Sequence, residues 1–403
     1  MFLLFLLVGS PLESAETLTL AEAWQLTLSR NPELEAGRAQ LEISRGELIQ
    51  VGLRPNPELS LAGENLFGKA ENRGLRGAET SLNLSQALDP FGKRQARIEV
   101  FQRQQKLNEV DLEEQTLVLR EELGQAFFQA IAAQEALSLQ QQKIALAREL
   151  SELTRERVTA GRERPAALRL AEMELDREKI LALDCRRLLV AARRRLGLFW
   201  DAAGLPTAAT PPGWLAPRQI PSLSELLDGL ENYPGVRRGR LEEEWSQAKL
   251  AAARKAGLLD LSLNGGLKKE ERENQTSLQI GLEMELPVFD RNQGNQHSVR
   301  ATADRLKAMA QARRQRLSAE LKEAYEATGL AQEEATRLQT AILPRARQNL
   351  EDLCAGYQQG RFDLLILNQA RIRLAEIQAR LIACRLTTQQ RRLQLERLSG
   401  LSL

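Results

Sequence analysis

The segment TSLQIGLEMEL, residues 276–286, alternates strictly between apolar and small or polar side chains. The apolar positions on one side are Leu278, Ile280, Leu282 and Met284, followed by Leu286 at the end of the segment. A period of two is typical of a β-strand that is apolar on one face only. The segment is also about as long as a strand that crosses a lipid bilayer, roughly 9–11 residues. It therefore predicts a membrane strand whose lipid-facing side is formed by these four residues.

Three further runs have the same character. One follows Pro57 and carries Leu59 and Leu61, a second covers residues 80–88, and a third covers residues 259–263. Four strands cannot close a barrel, and an open sheet edge is not tolerated in lipid. Closure therefore requires further chains: two would give eight strands, and three would give twelve with room for a channel. A small soluble sheet with one wet face is the alternative that the strands alone leave open.

The rest of the chain is rich in helix formers, with aromatic residues at only 4%. Apolar and small residues with heptad-like spacing predict two very long helices, from Gly92 to Ala160 and from Asn292 to Gln359. Each would be roughly 100 Å long, so its seam must pack against partner helices. We expect Pro344 to kink the second one. The predicted fold is mainly α with a small β part.

The chain also contains an internal repeat. The heptad-like positions of the two halves match at an offset of about 198 residues. The matched seams are Leu119, Leu123, Ala126, Ala130, Ala133, Leu137 and Ile144, and Leu317, Leu321, Ala324, Thr328, Ala331, Ala335 and Ile342. We therefore predict a first repeat at residues 16–198, a linker at 199–221 and a second repeat at 222–403. Each repeat would hold a helix, two strands, a long helix, a turn (the tip) and a return helix.

The first helix of each repeat is predicted at Leu20–Val51 and at Ser222–Ala256. Thr19 and Ser222 are the expected N-caps, because each is followed three residues later by a glutamate.

Composition and motifs exclude several classes of function. The chain has one histidine, three dispersed cysteines and a net charge of +2. This argues against a histidine-rich metal site, a CxxC pair and a basic surface for nucleic acid. Phosphate-loop, dinucleotide-binding and nucleophile-elbow motifs are missing from the sequence. We therefore expect no enzymatic activity, no cofactor and no resident metal, and we interpret the cysteines as small packed residues.

The first fifteen residues resemble a secretory signal. Residues 1–8 are apolar and lead into Gly9-Ser10-Pro11, and cleavage is expected after Ala15. No other stretch approaches the roughly 20 apolar residues of a membrane helix.

Several short motifs, in this order and together with the duplication, resemble the TolC-like outer-membrane factor family of bacterial efflux ducts. The resemblance covers nearly the whole chain, from Leu18 to Leu401. The motifs are LTLAEA at 18–23, NPEL at 31–34, GLRPNP at 52–57, LSQ at 84–86, FGKR at 91–94 and YQQG at 357–360. The RPNP and GKR stretches look most like the cobalt–zinc–cadmium resistance branch of that family.

The resemblance implies a homotrimer in the bacterial outer membrane. Twelve strands would form a β-barrel on a long periplasmic α-barrel of coiled coils. Such a duct passes substrate to the outside from an inner-membrane pump, here of the resistance-nodulation-division type, through a periplasmic adaptor (membrane fusion) protein. The branch implies heavy-metal cations as cargo, with drug efflux and type I protein secretion as alternatives.

The resemblance also implies two functional regions. The periplasmic tips would meet the adaptor, and their residues here are Thr159, Gly161, Arg162, Gly360 and Arg361. A constriction would follow the second tip, with Asp363, Ile366 and Gln369 as candidates. Some family members carry acidic residues six and nine positions after the tip glycine, whereas this chain has Ile366 and Gln369 there.

A soluble coiled-coil scaffold with small β insertions is the alternative from another functional class. It accounts for the long helices, but not for four strands inserted symmetrically between them.

Overall fold

The computed structural model describes residues 17–66, 75–211 and 220–400. The expected signal segment, residues 1–15, lies outside this part. In chain order the elements are β1 (Thr17–Leu18), α1 (Leu20–Arg30), α2 (Pro32–Gly52), β2 (Glu58–Glu64), β3 (Glu79–Leu88), α3 (Lys93–Thr159), α4 (Pro165–Gly197), β4 (Thr207–Ala208), α5 (Leu223–Leu230), α6 (Pro234–Ala256), β5 (Asp260–Glu270), β6 (Gln275–Glu285), α7 (Gln293–Arg337), α8 (Leu343–Gln358) and α9 (Leu364–Ser399). The fold is mainly helical with a small β part.

The helix predicted at the start of each half is divided into two. The first breaks between Arg30 and Pro32, and the second breaks before Pro234. Proline lacks a backbone N–H and disfavours helical geometry at the residue before it. The prediction of single helices at Leu20–Val51 and Ser222–Ala256 was therefore wrong, although both prolines are visible in the sequence.

Both predicted N-caps are confirmed. The Thr19 side chain accepts from the backbone N–H of Glu22, whose carboxylate accepts in return from the Thr19 N–H at 2.8 Å. Ser222 and Glu225 form the same capping box at the start of α5. These hydrogen bonds lower the pKa of both glutamates, the cap residue's backbone N–H contributing most.

The first long helix has nearly the predicted limits, while the second is interrupted. A π-helical segment, Leu338–Ile342, separates α7 from α8 directly before Pro344. The extra residue in a π turn changes which side chains face the core. As a result, Ile342 is exposed although it was predicted in the seam. Leu343, Leu350 and Tyr357 continue the buried stripe instead, at heptad spacing.

Contacts divide the chain into two units. The first comprises the described residues up to Ala36, Glu114–Tyr233 and those from Gln315 onward, and the second comprises Gly37–Glu113 and Pro234–Arg314. The first unit contains two apolar clusters. One surrounds Leu123, Phe127 and Trp200, and the other surrounds Leu350 and Tyr357.

The first unit also contains a short parallel pair of strands, β1 with β4. It lies partly in the stretch that the sequence predicts as an extended linker. The Gln134 amide donates to the Ala208 carbonyl at 3.1 Å, and Trp200 is buried just before this pair. The start of the linker is therefore packed against α3.

The second unit contains the four-stranded sheet, ordered β2-β3-β5-β6 and antiparallel throughout. Two hairpins from distant parts of the sequence thus meet along β3 and β5.

In the same unit, helices α6 and α7 pack closely at Gly239. A Cβ on Gly239 would lie 2.7 Å from the Cβ of Ala310, so this contact requires a glycine.

A buried ionic cluster connects helices of the first unit. The Arg397 guanidinium binds Glu121, Glu320 at 2.7 Å and the Tyr233 hydroxyl at 2.7 Å. Burial raises the pKa of Tyr233 to about 12. This cluster fixes the end of α9 against α3 and α7.

We expect Arg397→Met to lower the free energy of unfolding by about 3 kcal/mol, because it leaves two carboxylates half-buried without their cation. Thermal unfolding of the purified protein measures this change. Arg373→Met is the control, since the Arg373 side chain is 76% exposed. Equal melting temperatures for both variants would contradict a structural role for the cluster.

Candidate functional site: a two-faced sheet and two helix-hairpin tips

The strand register places large apolar side chains of all four strands on one face of the sheet. Leu61 lies opposite Leu82, Leu82 opposite Leu267, and Leu267 opposite Leu278. The apolar face is formed by Leu59, Leu61, Leu82, Leu84, Leu88, Leu261, Leu263, Leu267, Leu278, Ile280, Leu282 and Met284. All the predicted lipid-facing residues therefore lie on this face. They are exposed in the single chain, Ile280 by 76%. A continuous exposed apolar surface of this kind marks a contact with lipid or protein.

The opposite face is polar and predominantly acidic. Glu64, Glu79 and Glu270 lie side by side on β2, β3 and β5. Like charges in directly opposed positions destabilise a sheet. Lys268 offsets this repulsion, because its ammonium lies 2.6 Å from Glu79 and 3.3 Å from Glu270. Such a face suits contact with water and cations.

The FGKR stretch connects the sheet to the helices. The Asp89 carboxylate accepts from the backbone N–H groups of Lys93 and Arg94, both at 2.7 Å, and so caps α3. The Lys93 ammonium donates to the Leu258 carbonyl at 2.6 Å and to Asp260 at 2.8 Å. The Arg94 guanidinium donates to the Gly52 carbonyl at 2.7 Å. Adjacent basic residues thus bind the ends of both helices that lead into the sheet, α2 and α6.

Burial alone would raise the pKa of Asp89. The hydrogen bonds from the backbone N–H groups of Arg94 and Lys93 outweigh this effect, so the pKa lies below its ordinary value. The carboxylate therefore stays charged as a helix cap at neutral pH.

The corresponding junction of the second half uses another side chain. The Asn292 amide donates to the Ala253 carbonyl at 2.8 Å, near the end of α6. At an offset of 198 residues, Asn292 occupies the position of Arg94. A Cβ on Gly257 would lie 2.2 Å from the Arg291 carbonyl oxygen. This junction therefore needs a glycine as well as a polar cap.

Each tip is a glycine-containing reversal between two helices of the first unit. At the first tip Gly161 has φ +69°, and the Arg162 N–H donates to the Arg157 carbonyl at 2.8 Å. At the second tip Gly360 has φ +75°, and the Arg361 N–H donates to the Gly356 carbonyl at 2.8 Å. Both are Schellman-type ends that favour glycine because of the positive φ. Thr159, the remaining predicted tip residue, ends α3 and bonds its own helix backbone.

One arginine connects the two tips. The Arg157 guanidinium donates to the Tyr357 carbonyl at 2.6 Å and lies over the Tyr357 ring, 4.6 Å from its centroid. The Tyr357 hydroxyl lies 3.3 Å from that of Thr154. Tyr357 is fully buried, so these contacts hold α3 against α8 directly above the turns.

The three constriction candidates begin α9. The Asp363 carboxylate accepts from the Ile366 N–H at 3.0 Å and caps the helix. The side chains of Ile366 and Gln369 are exposed on the first two turns. Asp363 therefore has a structural role within the single chain, because aspartate is a favoured N-cap residue.

Within the described residues, no group of three or more His, Cys, Asp and Glu side chains is placed to hold a metal ion. His297 is exposed on α7. The three cysteines are free; Cys384 is buried, and burial raises the thiol pKa of Cys354 and Cys384. None of the described helices is both long and apolar enough to cross a membrane.

The contacts of Arg157 with Tyr357, and of Lys93 with Leu258 and Asp260, were not predicted from the sequence. Lys93 and Arg94 stood in a motif that was noted only for its resemblance. Tyr357 precedes Gly360 by three residues, whereas Val158 holds that position before Gly161. This break in the repeat was the available signal.

Comparison with known proteins identifies similar chains. The sequence profile of a family described as "Outer membrane efflux protein" matches residues 23–200 and again 228–401. The chain is 28% identical over 391 residues to the cobalt-zinc-cadmium resistance protein CzcC of Cupriavidus metallidurans, covering 97% of this chain and 92% of that one. It is 24% identical over 312 residues to the nickel-cobalt-cadmium resistance protein NccC of Alcaligenes xylosoxydans xylosoxydans, covering 77% and 69%.

A solved structure of CusC, described in terms of transmembrane channel formation, superposes with a TM-score of 0.81 at 18% identity. The superposition covers 94% of this chain and 91% of that one. At this identity the likeness establishes the fold.

We expect Arg157→Gln to increase local opening at the second tip, because it removes both the bond to the Tyr357 carbonyl and the cation–π contact. Hydrogen exchange of peptides spanning residues 350–366 should become faster. Arg155→Gln is the matched control, since Arg155 is exposed on the same helix and pairs with Glu172. Unchanged exchange in the Arg157 variant would show that the tips hold without it.

Proposed function

Since the chain belongs to the outer membrane efflux protein family, and is thus an efflux protein of the bacterial outer membrane with a large helical part in the periplasm, we propose that it is the exit duct of a tripartite efflux system. It would receive substrate from an inner-membrane pump of the resistance-nodulation-division type through a periplasmic adaptor protein. It would release the substrate outside the cell. The pump would supply the energy, so the duct needs neither a catalytic group nor a cofactor.

The observation that carries the proposal is the apolar face of the sheet. It runs in register across all four strands, while among the described residues of one chain β2 and β6 each leave one edge without a partner strand. Lipid requires that every backbone N–H and C=O is bonded, so these edges must be covered. Three chains would pair β6 of one with β2 of the next and form a twelve-strand barrel around the polar face. A soluble scaffold gives no reason for such a face.

We also propose that the chain arose by duplication of one unit. The family profile matches twice, and the order helix pair, hairpin, long helix, tip and return helix occurs in both halves. Residues 16–198 and 222–403 would be the two copies. Three chains would then present six similar helix hairpins, which gives the periplasmic part a near-sixfold arrangement of tips.

The tips are the proposed adaptor-binding surface. Thr159, Gly161, Arg162, Gly360 and Arg361 lie at the two reversals, and the residues following both glycines are exposed arginines. Asp363, Ile366 and Gln369 follow directly and are the proposed constriction. Because the Asp363 carboxylate caps α9, Ile366 and Gln369 are the candidates to narrow the pore sterically.

We propose heavy-metal cations as the cargo. CzcC and NccC are resistance proteins for such cations, and CzcC is similar over nearly the whole chain. The acidic polar face of the sheet is compatible with cations. A duct that binds its cargo weakly needs no ligand cluster. Drug efflux or protein secretion would be favoured if metals prove not to be exported.

Ile280→Arg should destabilise the inserted protein by about 2–4 kcal/mol, because it places a cation on the lipid face near mid-bilayer. Gln279→Arg, one residue away on the polar face, should have little effect. Unfolding of the protein reconstituted in lipid vesicles measures both. Equal losses would contradict a lipid-facing apolar side.

Gly360→Val should abolish export while the protein remains in the outer membrane, because a β-branched residue is strained at φ +75°. Gly360→Asn is the control, since asparagine tolerates this conformation. Export and membrane content are measured in the same cells. Normal export by the valine variant would exclude the second tip from function.

The function is tested by deleting the gene and measuring cellular cobalt, zinc and cadmium together with drug tolerance. We expect metal accumulation that the intact gene reverses. Unchanged metal content with increased drug sensitivity would identify a drug duct instead. Full release of the protein from washed outer membranes would exclude any duct.

A further inference from the structure

The ends of the strands that adjoin the helices carry a second set of exposed apolar side chains. Phe289 is 92% exposed, an extreme value for an aromatic side chain. Apolar residues recur at all four strand ends: Leu53, Leu88, Phe91, Leu258, Leu286, Val288 and Phe289. We call this set the helix-side belt. Phe91 and Phe289 occupy equivalent positions in the two halves, 198 residues apart.

Backbone contacts join the belt into one surface. Arg94 binds the Gly52 carbonyl and so holds the Leu53 segment beside the Phe91 segment. Lys93 binds the Leu258 carbonyl. Gly257 lies against the Arg291 carbonyl oxygen, next to Phe289. Four segments distant in sequence are thus adjacent around the end of the sheet.

The belt is accompanied by available positive charge. Arg54 follows Leu53, and Arg291 follows Phe289 by two residues; both are exposed. Within the described ranges neither guanidinium takes part in a hydrogen bond or an ion pair.

Three carboxylates that neighbour the belt are engaged elsewhere. Asp89 binds backbone N–H groups, Asp260 binds Lys93, and Asp290 accepts from the Asn292 N–H at 2.8 Å. Glu58 and Glu285, at the same strand ends, lie on the polar face of the sheet, whereas Arg54 and Arg291 place free positive charge next to the belt. An anionic partner would complement it.

An apolar ring with exposed aromatic residues next to unpaired arginines matches the boundary between acyl chains and headgroups. Aromatic girdles mark both rims of membrane barrels. Arginine binds phosphate oxygens in a bidentate manner. We propose that the helix-side belt binds anionic phospholipid headgroups of the leaflet nearest the helices, with Phe91 and Phe289 at the interface and Arg54 and Arg291 on lipid phosphate. This inference rests on the proposed membrane insertion of the sheet.

The test uses the full-length protein reconstituted in phosphatidylcholine vesicles with or without phosphatidylglycerol. Native mass spectrometry then counts the phosphatidylglycerol molecules retained per chain after extraction. We expect Arg54→Gln and Arg291→Gln each to weaken phosphatidylglycerol retention about fivefold, and the double variant roughly twentyfold. Arg186→Gln, which removes the same charge from an exposed position on α4, should retain the lipid normally.

A second measurement reports how deeply the side chain at position 289 lies in the bilayer. Phe289→Trp should add blue-shifted fluorescence that shallow brominated lipids quench, relative to the unsubstituted protein.

The outcomes separate the two proposals. Normal insertion with undiminished phosphatidylglycerol retention in the double variant would overturn the belt and leave the duct intact. Added tryptophan fluorescence at the wavelength of bulk water would also overturn it. Failure of the unsubstituted protein to enter vesicles of either composition would overturn the proposed function, and this inference with it.

Discussion

The described part of a single chain leaves both the apolar face and the two outer edges of its four-stranded sheet uncovered. The rest of the structure follows from this constraint. The face extends across β2, β3, β5 and β6, and within the part of the chain that the structure describes the outer edges of β2 and β6 leave backbone N–H and C=O groups without partner strands. Water can hydrogen-bond to those groups, but contact between water and the apolar face is unfavourable. Lipid covers the apolar face but cannot hydrogen-bond to the groups. Covering the edges with further copies of the same strands resolves both conflicts, because the polar face is then enclosed with the water it needs.

The helices meet the sheet at a junction where polarity changes abruptly and where several side chains of the second unit form specific hydrogen bonds. Helix ends leave carbonyl groups that need donors. Lys93 and Arg94 at the start of α3 and Asn292 directly before α7 supply them, and Asp89 caps α3. The same contacts place Phe91 and Phe289 together at the helix-side end of the sheet. The same segments therefore hold the junction together and carry its exposed apolar side chains.

At the two helix-hairpin tips, similar turns carry different side chains. Gly161 and Gly360 adopt the same backbone conformation with the same hydrogen-bond pattern. The contacts above them are unequal, because Tyr357 is buried under Arg157 while the matching position is Val158. The two turns thus share one backbone conformation, while single residues give each tip its own side-chain contacts. The π segment before Pro344 is another difference between the halves, since position 146, which matches Pro344 at the offset of 198, is a leucine.

The sequence by itself determined the mainly helical fold with its four alternating strands, both capping boxes and the glycines of the tips. These features depend on local periodicity and on residues within one turn of each other, which a single sequence displays. It also displays the prolines that divide the first helix of each half, Pro32 and Pro234. The tertiary structure alone decided the pairing of β3 with β5, the contact of Arg157 with Tyr357 and the joining of four strand ends into one belt. Such contacts join residues far apart in the chain, and their geometry depends on side-chain packing that periodicity does not encode.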